Sequence, residues 1–288
     1  MKSTSSRLYR GRIAPTPTGL LHLGHAATFG VAQSRCAQAK GILIYRDENL
    51  DPHRCKPEFS QAALQDLKDW GFKWREGPDI GGEHAPYCQS ERVDLYKTVL
   101  KELFAKGFVY PSDVSRKDIE NQSPKSFQNE TIFPNVLRPE NLSSQFPEDA
   151  FTTNWRFRVP DRQPIEFKDQ RLGFLSYEPQ EQFGDFLVWR KDGVPSYELA
   201  VVVDDHLMRI TEVVRGEDLL LSTARQVLVY EALGWDTPLW YHCPLITDKQ
   251  GNRLAKTVKS LSLRELTQQG ISPTVEPTAI QALANAYC

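Results

Sequence analysis

Apolar positions first gather at residues 9–14, break at the polar turn Pro15-Thr16-Pro17-Thr18-Gly19, and resume in a stretch over about 25–40 that reads as a helix. A second apolar run, Gly41-Ile42-Leu43-Ile44-Tyr45, follows at once. Strand, glycine-bearing turn, helix and strand in such quick succession predict a βαβ unit, hence a parallel sheet with a ligand at its carboxyl edge. Further helices are expected at 57–70 and 92–106. In the second of these, Tyr96, Val99, Leu100, Leu103 and Phe104 recur at helical spacing and make an apolar stripe that faces a core.

From 108 to 192 the periodicity is broken by Pro111, Pro124, Pro134, Pro139, Pro147, Pro160, Pro164 and Pro179, while Ser and Asn cluster between Asn121 and Ser144. This predicts a loop-rich inserted subdomain with short strands at 155–159 and 183–189. Regular patterning returns with Leu199-Ala200-Val201-Val202-Val203, read as a strand, then 208–214, a helix at 219–233 and a strand at 240–246. Two short helices are expected at 262–269 and 277–286. The fold class is α/β, a Rossmann-like doubly wound parallel sheet. Residues 1–107 and 193–246 form its two halves, 108–192 the insert, and 247–288 an ATP loop with a helical C-terminal region.

Composition narrows the class. With 40% hydrophobic and 25% charged residues the chain can bury a core. Its 35 basic and 37 acidic residues leave a net charge of -2, so an RNA partner must use a local patch. No run of eighteen apolar residues occurs, and Met1-Lys2-Ser3-Thr4-Ser5-Ser6-Arg7 leads into a polar turn, which predicts a cytoplasmic protein with no membrane partner. Cys36, Cys55, Cys88, Cys243 and Cys288 are dispersed, which argues for reduced thiols and against a disulfide framework or a cysteine-rich zinc site.

Two segments carry chemistry. His22-Leu23-Gly24-His25 lies where a helix begins, and unpaired N–H groups and the helix dipole there favour a phosphate. Gly24 lets a nucleotide approach the backbone, and His22 and His25 can donate to a phosphate whose charge grows in a transition state. Gly251-Asn252-Arg253-Leu254-Ala255-Lys256-Thr257 is a polar loop able to close over a triphosphate, with Lys256 on the leaving pyrophosphate and Arg253 supporting it. Each alone has a plainer reading, structural histidines and a solvated basic loop. Together, at opposite ends of an α/β chain, they point to ATP as a substrate and to activation of a carboxylate.

These residues resemble the two signature sequences of the class I aminoacyl-tRNA synthetases, in the wording of the glutamyl subgroup. Arg12 to Gly19 match its R-x-A-P-S/T-P-T-G turn. Arg46, Glu48, Asp51 and Arg54 match R-x-E-D-x-D-x-x-R, with Asn49 where the family has Asp. Gln89-Ser90-Glu91-Arg92, Tyr197-Glu198-Leu199-Ala200, Val203-Asp204-Asp205-His206 and residues 211–218 also fit, so the likeness covers nearly everything outside 112–154. It implies catalytic His22, His25 and Lys256, with Gly24, Arg253 and Lys256 on ATP. It also implies that L-glutamate binds with its ammonium on Glu48 and its side-chain carboxylate on Tyr197 and Arg215, Arg12, Ala14 and Thr16 touching it from the first loop. A guanidinium suits that task because it forks onto a carboxylate. Mg²⁺ is expected with ATP. Asp204 and Asp205 could help hold it, although paired acids after an apolar run also pair structurally, and the structural reading is favoured.

Full-length members continue into a long anticodon-reading region, whereas this sequence stops at Cys288. In that it resembles the truncated glutamyl-Q tRNA(Asp) synthetases, which attach glutamate to queuosine in the anticodon loop of tRNA(Asp). The expected partners are therefore L-glutamate, ATP and queuosine-bearing tRNA(Asp). The alternatives are a short glutamyl-tRNA synthetase charging the 3′ end of tRNA(Glu), or a non-catalytic RNA-binding relic. Many members also carry a cysteine zinc site in the insert. Here Ser112 and Val114 stand where its first cysteines would be, so no zinc is expected.

Overall fold

The computed structural model describes residues 8–122, 126–128, 130–140, 145–246 and 261–287. In chain order come β1 (Arg10–Ile13), α1 (Leu23–Gln38), β2 (Ile42–Tyr45), α2 (Pro57–Asp69), α3 (Val93–Ala105), β3 (Val109–Pro111) and α4 (Arg116–Gln122). Next are β4 (Ser126–Phe127), β5 (Glu130–Thr131), β6 (Trp155–Phe157), β7 (Ile165–Asp169), β8 (Gly173–Tyr177) and β9 (Phe186–Trp189). The order ends with α5 (Tyr197–Leu207), β10 (Glu212–Gly216), α6 (Leu220–Leu233), β11 (Leu239–Cys243), α7 (Leu263–Gln268) and α8 (Pro277–Tyr287). None of the described helices is long and apolar enough to cross a membrane. The chain packs as two compact units: Met1–Glu91 with Met208–Leu219 and Pro238–Cys288, and Arg92–Leu207 with Leu220–Thr237.

In the first unit, β1 and β2 pair in parallel with Arg12 beside Ile44, and β10 and β11 pair in parallel with Arg215 beside His242. Thr211 stitches the pairs together: its N–H donates to the Arg10 carbonyl at 2.9 Å, and its own carbonyl accepts from Leu239 N–H at 2.8 Å. This is the parallel α/β layer expected from the strand–helix–strand pattern. All four residues of β1 are buried, so its two arginines need internal partners. Arg10 finds Glu76 at 2.9 Å, and Arg12 donates to the Val214 carbonyl at 2.9 Å. Beneath the strands, Ile13, Leu43, Tyr45 and Val214 pack with Ala26, Ala27, Phe29 and Ala32 of α1 and with Leu263, Ile280 and Ala284 from the C-terminal helices.

Small residues on α1 let the C-terminal segment come close. A Cβ on Gly30 would lie 2.4 Å from the Val275 carbonyl oxygen, a backbone atom that cannot swing aside. Gly30→Ala is therefore expected to lower the unfolding free energy by about 1–3 kcal/mol, measured by urea titration. A change below about half a kcal/mol would mean that the segment yields freely.

The second unit holds the three-stranded antiparallel sheet β3-β6-β9, the hairpin β7-β8, and α3, α5 and α6. The segment 108–192 falls wholly inside it. Residues 199–203, expected as a strand, are instead the middle of α5. Each is fully buried, so the helix has no polar face in that stretch and its apolar run carries no helical period. Burial here outweighs the modest helix penalty of three valines. The acids that follow also have structural work. Asp204 takes the Arg92 guanidinium at 2.6 Å and the Tyr96 hydroxyl at 2.9 Å, which ties α5 to α3.

The loop-rich part is organised around Asp185, whose side chain is wholly buried. It accepts from Tyr110 Oη at 2.5 Å, Arg138 Nε at 2.8 Å and Nη2 at 2.6 Å, and Val159 N–H at 2.9 Å. Burial, then the neighbouring Asp185 charge, pushes the Tyr110 hydroxyl far above its ordinary range, so it stays a donor.

Candidate active site

The site is built at the carboxyl ends of β1, β2 and β10, with the N-terminus of α1 beside it. α1 begins two residues earlier than the sequence pattern suggested, because His22 is its cap. Gly24 N–H donates to His22 Nδ1 at 3.1 Å, and His22 N–H donates to His25 Nδ1 at 3.2 Å, a reciprocal capping box made by two imidazoles. Each ring accepts through Nδ1, so in its neutral form the proton sits on Nε2. The rings lie 4.0 Å apart and are partly exposed. The helix thus presents two oriented N–H donors at its positive end. Gly24 has a local duty too, since a Cβ there would meet the His22 ring at 3.0 and 3.1 Å.

Glu48 and Arg46 follow β2 and point the same way, as residues two apart in extended chain do. Arg46 Nη2 meets Glu48 Oε1 at 2.9 Å, with the side chains 0% and 5% exposed. The backbone of 46–48 continues beside the first loop: Arg46 N–H donates to Ile13 O at 2.9 Å and Glu48 N–H to Pro15 O at 3.0 Å. That contact brings Thr16, whose hydroxyl lies 3.5 Å from Glu48 Oε2. A fixed carboxylate next to an exposed threonine can receive a ligand ammonium, the guanidinium holding the carboxylate charged and oriented.

Arg215, 4% exposed, lies on β10 one residue beyond the carbonyl held by Arg12. Its Nε donates to His242 Nε2 at 3.3 Å, and its guanidinium carbon stands 5.1 Å from the centre of the Trp240 ring. Ala14 continues β1 into the loop. The structure therefore gathers Arg12, Ala14, Thr16, His22, Gly24, His25, Glu48 and Arg215 in the first unit. Tyr197 is the first residue of α5 in the second unit. Arg253 and Lys256 lie outside the described residues; the described chain resumes at Leu261, Ser262 bridges to His22, and Leu263 N–H donates to Leu21 O at 2.8 Å. Ser262 and Glu265 then form a second capping box that starts α7.

Sequence reasoning missed Arg46, His242 and Trp240 as site residues. Arg46 was within reach, since it stands two positions before Glu48 in extended chain. His242 and Trp240 carried no such signal, because only the register of β11 on β10 brings them to Arg215. The nearby thiols are held in their protonated form. Burial raises Cys55, which donates to the Glu48 carbonyl at 3.7 Å, and burial with the Asp47 charge pushes Cys88 up to about 11.

A family model for class I tRNA synthetases (E and Q), catalytic domain, matches residues 9–281. The chain is 43% identical to a protein of Symbiobacterium thermophilum named glutamyl-Q tRNA(Asp) synthetase, over 91% of this chain and 82% of that one. It is 40% identical to the protein of that name in Nitratidesulfovibrio vulgaris, over 92% of this chain and 82% of that one. The crystal structure of glutamate-tRNA synthetase from Elizabethkingia anophelis superposes with a TM-score of 0.75 at 30% identity, covering 92% of this chain and 54% of that chain. Sequence motifs, parallel fold and these matches agree, and the chain belongs to the class I tRNA synthetases of the E and Q kind, through their catalytic domain.

Proposed function

We propose that this ligase activates L-glutamate with ATP as glutamyl-adenylate and transfers it to the queuosine base in the anticodon loop of tRNA(Asp). The choice of acceptor rests on one observation: relatives bearing that name share 40–43% identity with nearly the whole chain. In this reading Glu48, held by Arg46, takes the α-ammonium, and Arg215 takes the side-chain carboxylate. Arg12, Ala14 and Thr16 border the ligand, and Tyr197 keeps the glutamate role that the family likeness gives it. An oxygen of the α-carboxylate attacks the α-phosphorus of ATP, the bond to pyrophosphate breaks, and a mixed anhydride remains. A hydroxyl of the modified base then attacks its carbonyl carbon and AMP leaves. No side chain has to act as nucleophile, so the protein's part is positioning and charge stabilisation. His22 and His25 offer Nε2–H groups to the phosphate, Gly24 lies between them, and Arg253 and Lys256 serve the leaving pyrophosphate. Mg²⁺ enters with the ATP phosphates. Asp204 does not fit as its ligand, because its oxygens already accept from Arg92 and Tyr96.

Labelled glutamate should enter queuosine-containing tRNA(Asp) in a form labile to mild alkali, and prior periodate oxidation of the tRNA 3′ end should leave the yield unchanged. Equal charging of queuosine-free tRNA, abolished by periodate, would instead establish a short enzyme that charges the 3′ end. A further test concerns the cap. Gly24→Ala presses on the His22 ring, which must give by a few tenths of an ångström; weakening of the cap should cost up to about 1 kcal/mol of helix stability and slow glutamate-dependent pyrophosphate exchange on the order of tenfold. An unchanged exchange rate would show that the His22 ring accommodates the added Cβ without losing its place.

A further inference from the structure

We infer that Asp66 is a positioning residue for the phosphate end of the site: by holding Arg264 it seats the start of α7 against the His22 cap. The inference rests on the proposed role of His22 and adds what steadies that cap from outside α1. Asp66 lies on α2 and is 3% exposed. Arg264 is the second residue of α7 and grips it as a fork across 198 positions of chain. Its Nε stands 3.1 and 3.2 Å from the two carboxylate oxygens, and its Nη2 stands 2.9 Å from Oδ1. Trp70, the C-terminal cap of α2, donates its indole N–H to the Leu263 carbonyl at 3.2 Å and to the Thr267 hydroxyl at 3.1 Å. Asp66 and Trp70 are four apart, so one edge of α2 holds the first turn of α7 through both.

That same turn meets the phosphate end. Ser262, the cap of α7, bridges antiparallel to His22, the cap of α1, and Leu263 N–H donates to Leu21 O at 2.8 Å. Leu263 therefore gives its N–H to the chain entering α1 while its carbonyl is held from α2. With six residues, α7 cannot keep its place by its own hydrogen bonds, since isolated helices below about 12 residues are marginal in water. Leu263 and Leu266 bury it in the core, but apolar packing has no direction and leaves sliding and rotation to be fixed by polar contacts. The fork of Arg264 on Asp66 fixes both, because paired N–H···O bonds define a plane as well as a distance. The His22 ring is aimed by its own backbone and by its bond to Gly24 N–H, so a shift of the Leu21–His22 backbone turns Nε2–H away from the phosphate. A donor misplaced by about 1 Å can cost on the order of a hundredfold in rate. The glutamate end is tied elsewhere, Glu48 to Pro15 O and to Arg46, so the effect falls on ATP.

The test compares Asp66→Ala, which removes the carboxylate, with Asp66→Asn, which keeps one oxygen able to accept from Arg264. Arg264→Met removes the fork from the more exposed partner, whose side chain is 39% exposed. His22→Ala serves as the control. Pyrophosphate exchange is measured against ATP and against glutamate, well below the Tm of each variant. Asp66→Ala and Arg264→Met should each lower kcat/KM for ATP about tenfold and leave the glutamate KM within twofold. Asp66→Asn should recover most of the loss. A kcat/KM for ATP unmoved by both Asp66→Ala and Arg264→Met, while His22→Ala lowers it strongly, would overturn the positioning role alone. A parallel rise of the ATP and glutamate KM with a large fall in Tm would overturn it in favour of a purely structural ion pair. If His22→Ala itself leaves the use of ATP intact, the proposed role of His22 fails, and this inference fails with it.

Discussion

Glu48→Gln should reduce glutamate-dependent pyrophosphate exchange on the order of a thousandfold, equivalent to about 4 kcal/mol. The substitution keeps the shape of the side chain and an oxygen able to accept from Arg46, but removes the negative charge. The Arg46 guanidinium, fully buried, and the incoming ammonium then both lose the charge of Glu48. Inside a site this dry the loss is far larger than for an exposed pair, since the partner left behind cannot be rehydrated. The penalty should appear in the glutamate KM and in kcat/KM, with the ATP KM little changed, because the ATP site proposed above is the helix terminus and not Glu48. Exchange within tenfold of the parent would show that Glu48 does not hold the ammonium. Replacing Arg46 by Met in the Glu48→Gln background should restore part of the lost stability, as a double-mutant cycle would reveal.

Asp185→Ala is expected to be the most damaging single change to folding, about 3–5 kcal/mol. The loss exceeds that of an ordinary ion pair because one carboxylate serves a bidentate guanidinium, a phenol and a backbone N–H at once. Removing it takes the bidentate partner from Arg138, whose side chain is 5% exposed and keeps only Asp161 and the Val159 carbonyl among the contacts described, and leaves the Val159 N–H without this acceptor. Asp185→Asn keeps one oxygen and should lose less. Urea unfolding gives the energies, and limited proteolysis should locate new cleavage within residues 108–192. A midpoint shift worth less than about 1 kcal/mol would mean that the aromatic packing of Phe146, Phe151 and Trp155 holds this part without the carboxylate.

Local pattern was a good guide wherever an element has one buried and one wet face. Of the stripe on α3, Tyr96, Val99, Leu100 and Leu103 are buried as their spacing required and Phe104 is half-buried, and β1, α1 and β2 follow in the expected order. It failed at α5, where five consecutive buried residues erase the period that separates helix from strand. The β7-β8 hairpin went unread within the proline-broken stretch. Its turn depends on Asp169, whose buried carboxylate accepts from Arg171 and Leu172 N–H at 2.9 Å, a contact that composition does not announce.

By itself, the sequence determined the order of the candidate groups along the chain: a histidine pair at a helix start, an acid two residues after an arginine, and a basic loop near the end. Such features are set by spacing within a few residues, where chain geometry alone decides which side chains share a face. Tertiary structure decided the partners. His22 was readable as a candidate phosphate ligand, but only the folded cap shows that its Nδ1 is engaged by Gly24 and its proton sits on Nε2. The family likeness made Arg215 a candidate for the substrate carboxylate, but its place beside His242 and Trp240 follows from the register of strands joined through distant sequence. Asp204 looked like a possible metal ligand until burial supplied Arg92 and Tyr96. Strand register and burial depend on the whole chain at once, and they assign each charge its counterpart.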